Sequence, residues 1–197
     1  VKAIELTGQG ENTLIIFTSD NGGSTAENND TKYPNDDCPN GRLPGNNLPL
    51  RGKKGDLYEG GVRVPTIASW QSKITAGSTS STPVHIVDWM PTFCKMASVK
   101  EEPKTLKWDG KDIWTVLSGE EKLAPRSLYS AGTHFRSRSL REGDWKLISP
   151  LKVGLFLEDS GSGEWELYNL KEDIGETANL AAKYPKKVKR LKAFLKK

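Results

Sequence analysis

Nowhere among the 197 residues does an apolar run approach the roughly 18 consecutive positions that a membrane-spanning helix requires. The chain is 35% hydrophobic and 27% charged, long enough to bury a substantial core as one domain or as two small ones. Cysteine is scarce, with only Cys38 and Cys94, so a single bridge and two unpaired thiols both stay open and the redox compartment is not fixed. The opening Val1 to Leu6 carries no basic region, apolar core or cleavage site of a secretory signal. Its apolar spacing, followed by Gly8 and Gly10, reads instead as the last turns of a helix and its exit, which leads us to expect a truncated start. No internal repeat is present. Basic residues spread over a face and interleaved with aromatics are missing too, which excludes a nucleic-acid surface. The net charge of +4 belongs to the tail: eight of the 29 basic residues and no acidic one lie from Lys183 onward, leaving 21 basic against 25 acidic before it. That tail reads as a solvated helix face.

What is present centres on Thr13-Leu14-Ile15-Ile16-Phe17-Thr18-Ser19-Asp20-Asn21-Gly22-Gly23. The uncharged, largely β-branched and aromatic run predicts a strand buried on both faces of a parallel sheet. A polar cluster then falls at its carboxyl end, where open α/β sheets bind ligands, and Asp20 and Asn21 offer hard oxygen donors suited to Ca²⁺ or Mg²⁺. The same Asp-Asn-Gly-Gly run is also a strong turn former, so a plain turn is the competing reading.

A second stretch follows at Pro49-Leu50-Arg51-Gly52-Lys53-Lys54-Gly55-Asp56-Leu57-Tyr58-Glu59-Gly60-Gly61-Val62-Arg63-Val64-Pro65. Its glycines permit close backbone approach, and a lysine supplies a mobile charge apt for a tetrahedral dianion. By residue type alone these are ordinary solvent-facing lysines. Taken together, "SDNGG" and "LRGKKGDLYEGGVRVP" resemble the sulfatase family, formylglycine-dependent sulfuric-ester hydrolases of the alkaline-phosphatase-like fold. Further stretches, "HIVDWMPTFCKMA", "LREGDWKLI" and "WELYNLKEDIGETANLA", extend the resemblance over nearly the whole chain, as the carboxyl-terminal portion of such an enzyme.

The resemblance implies Asp20 and Asn21 as metal ligands, Ca²⁺ before Mg²⁺, and Lys54 as the sulfate-binding lysine. Lys53 stands where the family carries glycine, a departure. The nucleophile is made in the family from the cysteine of Cys-x-Pro-x-Arg; Cys38-Pro39-Asn40-Gly41-Arg42 imitates that motif with its proline one place early, so formylglycine is expected upstream of Val1. The substrate implied is an aryl or carbohydrate sulfate, such as a sulfated glycan, and the compartment secreted, periplasmic or lysosomal. Two other readings stay open: a non-catalytic module binding a sulfated glycan or partner chain, and part of a phosphodiesterase or phosphonate hydrolase on the same fold.

The expected fold is α/β: a partial alkaline-phosphatase-like sheet with helices over residues 1–100, then a small α+β subdomain over 101–197 with an antiparallel sheet and a final helix. Between the two motif stretches, Ser24 to Asn47 is a long polar loop carrying an Asn29-Asp30-Thr31 sequon. Gly52 to Gly61 is too glycine-rich for a regular element, and Val62 to Trp70 reads as a strand. A helix follows with Asp88 and Pro91 near its start and a core stripe of Ile86, Trp89, Met90, Phe93, Cys94 and Ala97. Asp109 to Leu117 contains a short helix. Strands are expected over residues 127–132, 134–141, 144–148 and 164–170, and Val188, Leu191 and Leu195 mark the inner face of the last helix. His85 and His134 are read as structural.

Overall fold

The computed structural model describes residues 1–24, 45–99, 107–120, 123–132, 136–150 and 164–195. Cys38 and its surrounding motif, the Asn29 sequon and His134 lie outside the described residues. The chain divides into two compact units, Val1–Thr18 with Thr66–Pro125, and Ser19–Pro65 with Arg126–Lys197.

In the first unit, α1 (Lys2–Leu6) ends as expected at Gly8, whose φ of +70° glycine adopts without strain. Strand β1 (Ile15–Thr18) departs from expectation. In the second unit a four-residue helix, α2 (Glu59–Val62), is described below. Back in the first, β1 pairs antiparallel with β2 (Thr66–Ser69), Phe17 opposite Ile67, and the Thr18 and Thr66 hydroxyls meet at 2.8 Å. The expected burial on both faces is not seen: Phe17 is 66% exposed and Ile67 60%. A run of β-branched residues specifies a strand, but its neighbours and its cover come from other segments.

Helix α3 (Trp89–Met96) begins where Asp88 predicts. Asp88 is fully buried and accepts from the His85 amide at 2.7 Å and the Lys111 amide at 2.9 Å, while Thr92 Oγ1 donates to the Asp88 carbonyl and accepts from the Ile113 amide. These bonds tie α3 to residues 110–113, where Gly110 is required because a Cβ would lie 2.0 Å from the Val87 carbonyl oxygen. His85 Nδ1 accepts the Val87 amide, a structural role. The helix turns Pro91 and Thr92 inward and leaves Ile86, Met90 and Phe93 exposed, so the expected core stripe is corrected among the described residues. Helix α4 (Trp114–Ser118) is closed by Gly119 in the left-handed conformation.

The second unit contains the antiparallel sheet that the sequence predicts: β3 (Ser127–Ala131), β4 (Arg138–Glu142), β5 (Trp145–Ile148) and β6 (Glu166–Asn169), in that order. Strand alternation splits its two faces. Leu140, Leu147 and Leu167 form one cross-strand row and pack against Val188, Leu191 and Leu195 of α5 (Pro185–Leu195), whose i, i+3, i+7 spacing makes one helical stripe. The opposite face carries Arg141, Lys146 and Tyr168 in one row and Ser139, Ile148 and Glu166 in the next, and meets Leu57 and Tyr58. Lysines 187 and 192 of α5 lie over the Trp145 and Trp165 rings at 4.0 and 4.2 Å, so part of the basic tail covers aromatic surface.

Candidate active-site loops

The Ser19–Gly23 end of the first stretch and the whole of the second lie in the second unit, and their backbones interlock. The Gly22 amide donates to the Gly61 carbonyl at 3.0 Å, and the Lys54 amide donates to the Gly23 carbonyl at 3.2 Å. Asn47 bridges them: its Oδ1 accepts the Gly23 amide at 2.9 Å, and its Nδ2 donates to the carbonyls of Gly23 and Gly52 at 2.9 and 3.1 Å. Approach is so close that a Cβ on Gly22 would fall 1.7 Å from the Gly60 oxygen. Glycine is needed there for space rather than for backbone freedom.

Lys53 to Asp56 forms a turn closed by the Asp56 amide on the Lys53 carbonyl at 2.9 Å. Gly55, with φ +95°, takes the third position, which matches a type II turn. Asp56 Oδ2 also accepts the Lys53 amide at 2.9 Å. Lys54 therefore sits in the second position of the turn, with an exposed side chain, while its amide is committed to the Asp20–Gly23 segment. The glycine-rich stretch was expected to be irregular, yet it ends in helix α2. Gly60 and Gly61 oppose a helix by propensity, and packing overrides this: a Cβ on Gly60 would lie 2.5 Å from the Arg51 and Gly52 oxygens, and one on Gly61 2.2 Å from the Asp56 oxygen. Val62 accordingly belongs to this helix, and the strand expected from it shrinks to β2.

Asp20 is exposed and Asn21 half-buried at the exit of β1. Ser19 Oγ donates to the Asn21 carbonyl at 2.8 Å, and Asn21 Nδ2 donates to the Gly22 carbonyl at 3.0 Å. An amide that donates through nitrogen keeps its oxygen as an acceptor or metal donor. Two hard oxygens suit Ca²⁺ or Mg²⁺ in kind, but Ca²⁺ takes about six to eight. Among the described residues no group of three or more His, Cys, Asp or Glu is placed to hold a metal ion.

Beneath these loops lies a charged core that the sequence reading missed. Glu59, Lys146 and Glu176 are 2%, 1% and 0% exposed. Lys146 Nζ is 2.9 Å from both Glu59 Oε1 and Glu176 Oε1, Glu176 Oε2 accepts the Glu59 amide at 2.6 Å, and Arg141 reaches Glu59 Oε2 at 3.5 Å. Burial pushes the Glu176 carboxyl above its ordinary value, against the pull of Lys146. Beside this cluster, Tyr58 and Tyr168 both donate to Glu166, and Arg51 donates to the Tyr168 hydroxyl at 3.0 Å while lying 3.9 Å over the Tyr58 ring. Burial first, then Glu166, raises both phenols above their ordinary range. Lys146 carried one legible signal, a charge at an alternating position of an otherwise apolar strand; Glu59 and Glu176 lie within the quoted motifs but with nothing to mark their pairing, and Asn47 carried no signal.

A model described as Sulfatase matches residues 1–99, and one described as N-sulphoglucosamine sulphohydrolase, C-terminal, matches residues 53–197. A sulfatase of Formosa agariphila is 34% identical over 195 aligned residues, covering 90% of this chain and 30% of the relative. Among solved structures, the PsFucS1 sulfatase of Pseudoalteromonas sp. superposes with a TM-score of 0.74 at 28% identity, over 100% of this chain and 38% of that one. BT4656, in complex with its substrate D-glucosamine-2-N,6-O-disulfate, gives 0.67 at 28% identity, over 99% and 35%. The chain thus spans about a third of the length of the relatives it matches, with a sulfatase-like fold. It belongs to the sulfatase family.

Proposed function

We propose that this chain is the carboxyl-terminal portion of a sulfuric ester hydrolase acting on sulfated carbohydrates or aryl sulfates, with residues 1–100 contributing to its catalytic α/β domain and 101–197 forming a subdomain. One observation carries the assignment of the site: the Lys54 amide bonds to Gly23, two residues past Asn21, so the segment bearing the oxygen donors and the segment bearing the lysine form one hydrogen-bonded piece. The complex of BT4656 with a disulfated glucosamine supports a carbohydrate sulfate as the substrate class.

In this reading Asp20 and Asn21 are ligands to a divalent cation, Ca²⁺ foremost, with the remaining oxygens supplied from beyond the described residues. The bound cation would draw charge from the sulfuryl oxygens. Lys54, at the tip of its turn, places an ammonium against the same tetrahedral group. Its charge matters most as negative charge concentrates on the sulfuryl oxygens and leaving alkoxide. The glycine contacts hold both segments in fixed register, so the lysine and the ligands act on one anion. None of the three residues is the nucleophile, which the family makes as formylglycine and for which this sequence contains no Cys-x-Pro-x-Arg motif.

The test is turnover by the full-length enzyme of paired substrates: an aryl sulfate against an aryl phosphate diester and an aryl phosphonate ester, then 6-O-sulfated glucosamine. Preference for sulfate by at least tenfold is expected. Preference for the phosphate diester or the phosphonate ester assigns the chain to a phosphodiesterase or phosphonate hydrolase instead.

A further inference from the structure

The buried charges beneath the loops are joined to the loops at two points of one residue. Glu59 opens α2. Its carboxylate is held by Lys146 from β5, and its amide by Glu176 from the turn after β6. That turn is itself built for the purpose: the Asp173 carboxylate accepts the amides of Thr177 and Ala178 at 2.8 and 2.9 Å, and Glu176 takes a φ of +52°, costly for a residue with a Cβ. Arg51, at the other end of the glycine-rich segment, donates to the Glu176 carbonyl at 2.8 Å.

The next residues leave no slack. Gly60 donates to the Arg51 carbonyl at 2.6 Å, and Gly61 presents the carbonyl on which Gly22 hangs. Because backbone atoms touch at Gly22, Gly60 and Gly61, a shift of Glu59 cannot be absorbed locally and passes to both the Asp20–Gly23 turn and the Lys54 turn.

We propose that Lys146 and Glu176 are positioning residues for the site, holding Glu59 so that the anion-binding turn and the metal-binding turn keep their register. The inference rests on the assignment of Asp20, Asn21 and Lys54 above. Both side chains are buried, so neither presents a surface to substrate. Their effect is through geometry, and a misplacement of about 1 Å can cost about a hundredfold in rate. A merely structural ion pair would lower the melting temperature and leave the folded molecules as active as before.

The experiment uses the full-length enzyme with Glu176→Gln, which keeps the side chain's shape but removes the charge paired with Lys146, and Lys146→Met, which removes the ammonium. Lys54→Ala is the control. Each is assayed well below its melting temperature for kcat on an aryl sulfate, and for Kd of inorganic sulfate and of Ca²⁺ by calorimetry. Expected are a tenfold or greater fall in kcat for Glu176→Gln and weakening of both sulfate and Ca²⁺ binding by at least threefold. If Lys146→Met does not fold, Glu176→Gln alone decides. Unchanged kcat and both Kd values in folded Glu176→Gln, with Lys54→Ala inactive, overturn the positioning role and spare the site. If Lys54→Ala is itself fully active and binds sulfate normally, the site assignment fails and the positioning role with it.

Discussion

Gly22 and Gly61 meet through one backbone hydrogen bond of 3.0 Å, and neither has room for a side chain: a Cβ on Gly22 would meet the Gly60 oxygen, and one on Gly61 the Asp56 oxygen. Gly22→Ala should therefore be far more damaging than its chemistry suggests, because the added carbon would lie 1.7 Å from backbone that cannot rotate away. We expect a loss of about 3 kcal/mol, the upper end for overpacking. Denaturant titration measures it, and a loss below about 0.5 kcal/mol would mean that the two segments are not packed as described.

If Asp20 and Asn21 ligate the cation as proposed, removing the charged side chain should weaken cation binding more than removing the neutral one. Asp20→Ala forfeits a full Coulomb attraction, whereas Asn21→Ala forfeits a dipole. Calorimetric titration with Ca²⁺ and Mg²⁺ ranks the two variants of the full-length enzyme. Retention of full affinity by both would reduce Asp20-Asn21-Gly22-Gly23 to a plain turn.

The buried phenols give an alkaline signature. Tyr58 and Tyr168 are raised above the ordinary 10 by burial and by Glu166, so the folded state holds their protons more tightly than the unfolded chain. Their contribution to stability is complete below pH 10 and is lost as pH rises through the folded values. Of the five tyrosines, these two should ionise only with unfolding, read as tyrosinate absorbance alongside circular dichroism. Normal ionisation of all five in the folded protein contradicts the burial of Glu166 between them.

Glu176 works in the same direction on the acid side. Its folded value is raised above the ordinary 4.5, chiefly by burial, so its contribution to stability is present below that pH and declines as pH rises through the folded value. The stability of Glu176→Gln relative to the parent should thus improve between pH 4 and pH 7, whatever the offset at pH 4. A gap that widens against the variant would show that Lys146 outweighs burial.

How much of this was legible depended on where the determining atoms lie. Helix α5 was readable because Val188, Leu191 and Leu195 are spaced on one stripe, and strands β3 to β6 because their own alternation and turns mark them. The start of α3 was readable from Asp88, whereas the face it buries was not, since Thr92 is turned inward by a bond from the Ile113 amide, 21 positions away. Strand β1 announced itself as a strand but not its antiparallel partner. Lys54 and the Asp20-Asn21 pair are proposed from their motifs, while the support beneath them was hidden: Glu59 meets Lys146 and Glu176 across 87 and 117 positions, a distance no local pattern spans.

The proposed assignment makes Lys54, and not its neighbour, the sulfate clamp. It is tested most directly by aryl-sulfate turnover in the full-length enzyme with Lys54→Ala against Lys53→Ala. A charged donor in such a site supplies about 3 kcal/mol, so Lys54→Ala should lose a hundredfold or more in kcat, and Lys53→Ala less than tenfold. Equal losses from the two variants, or none from Lys54→Ala, would contradict it.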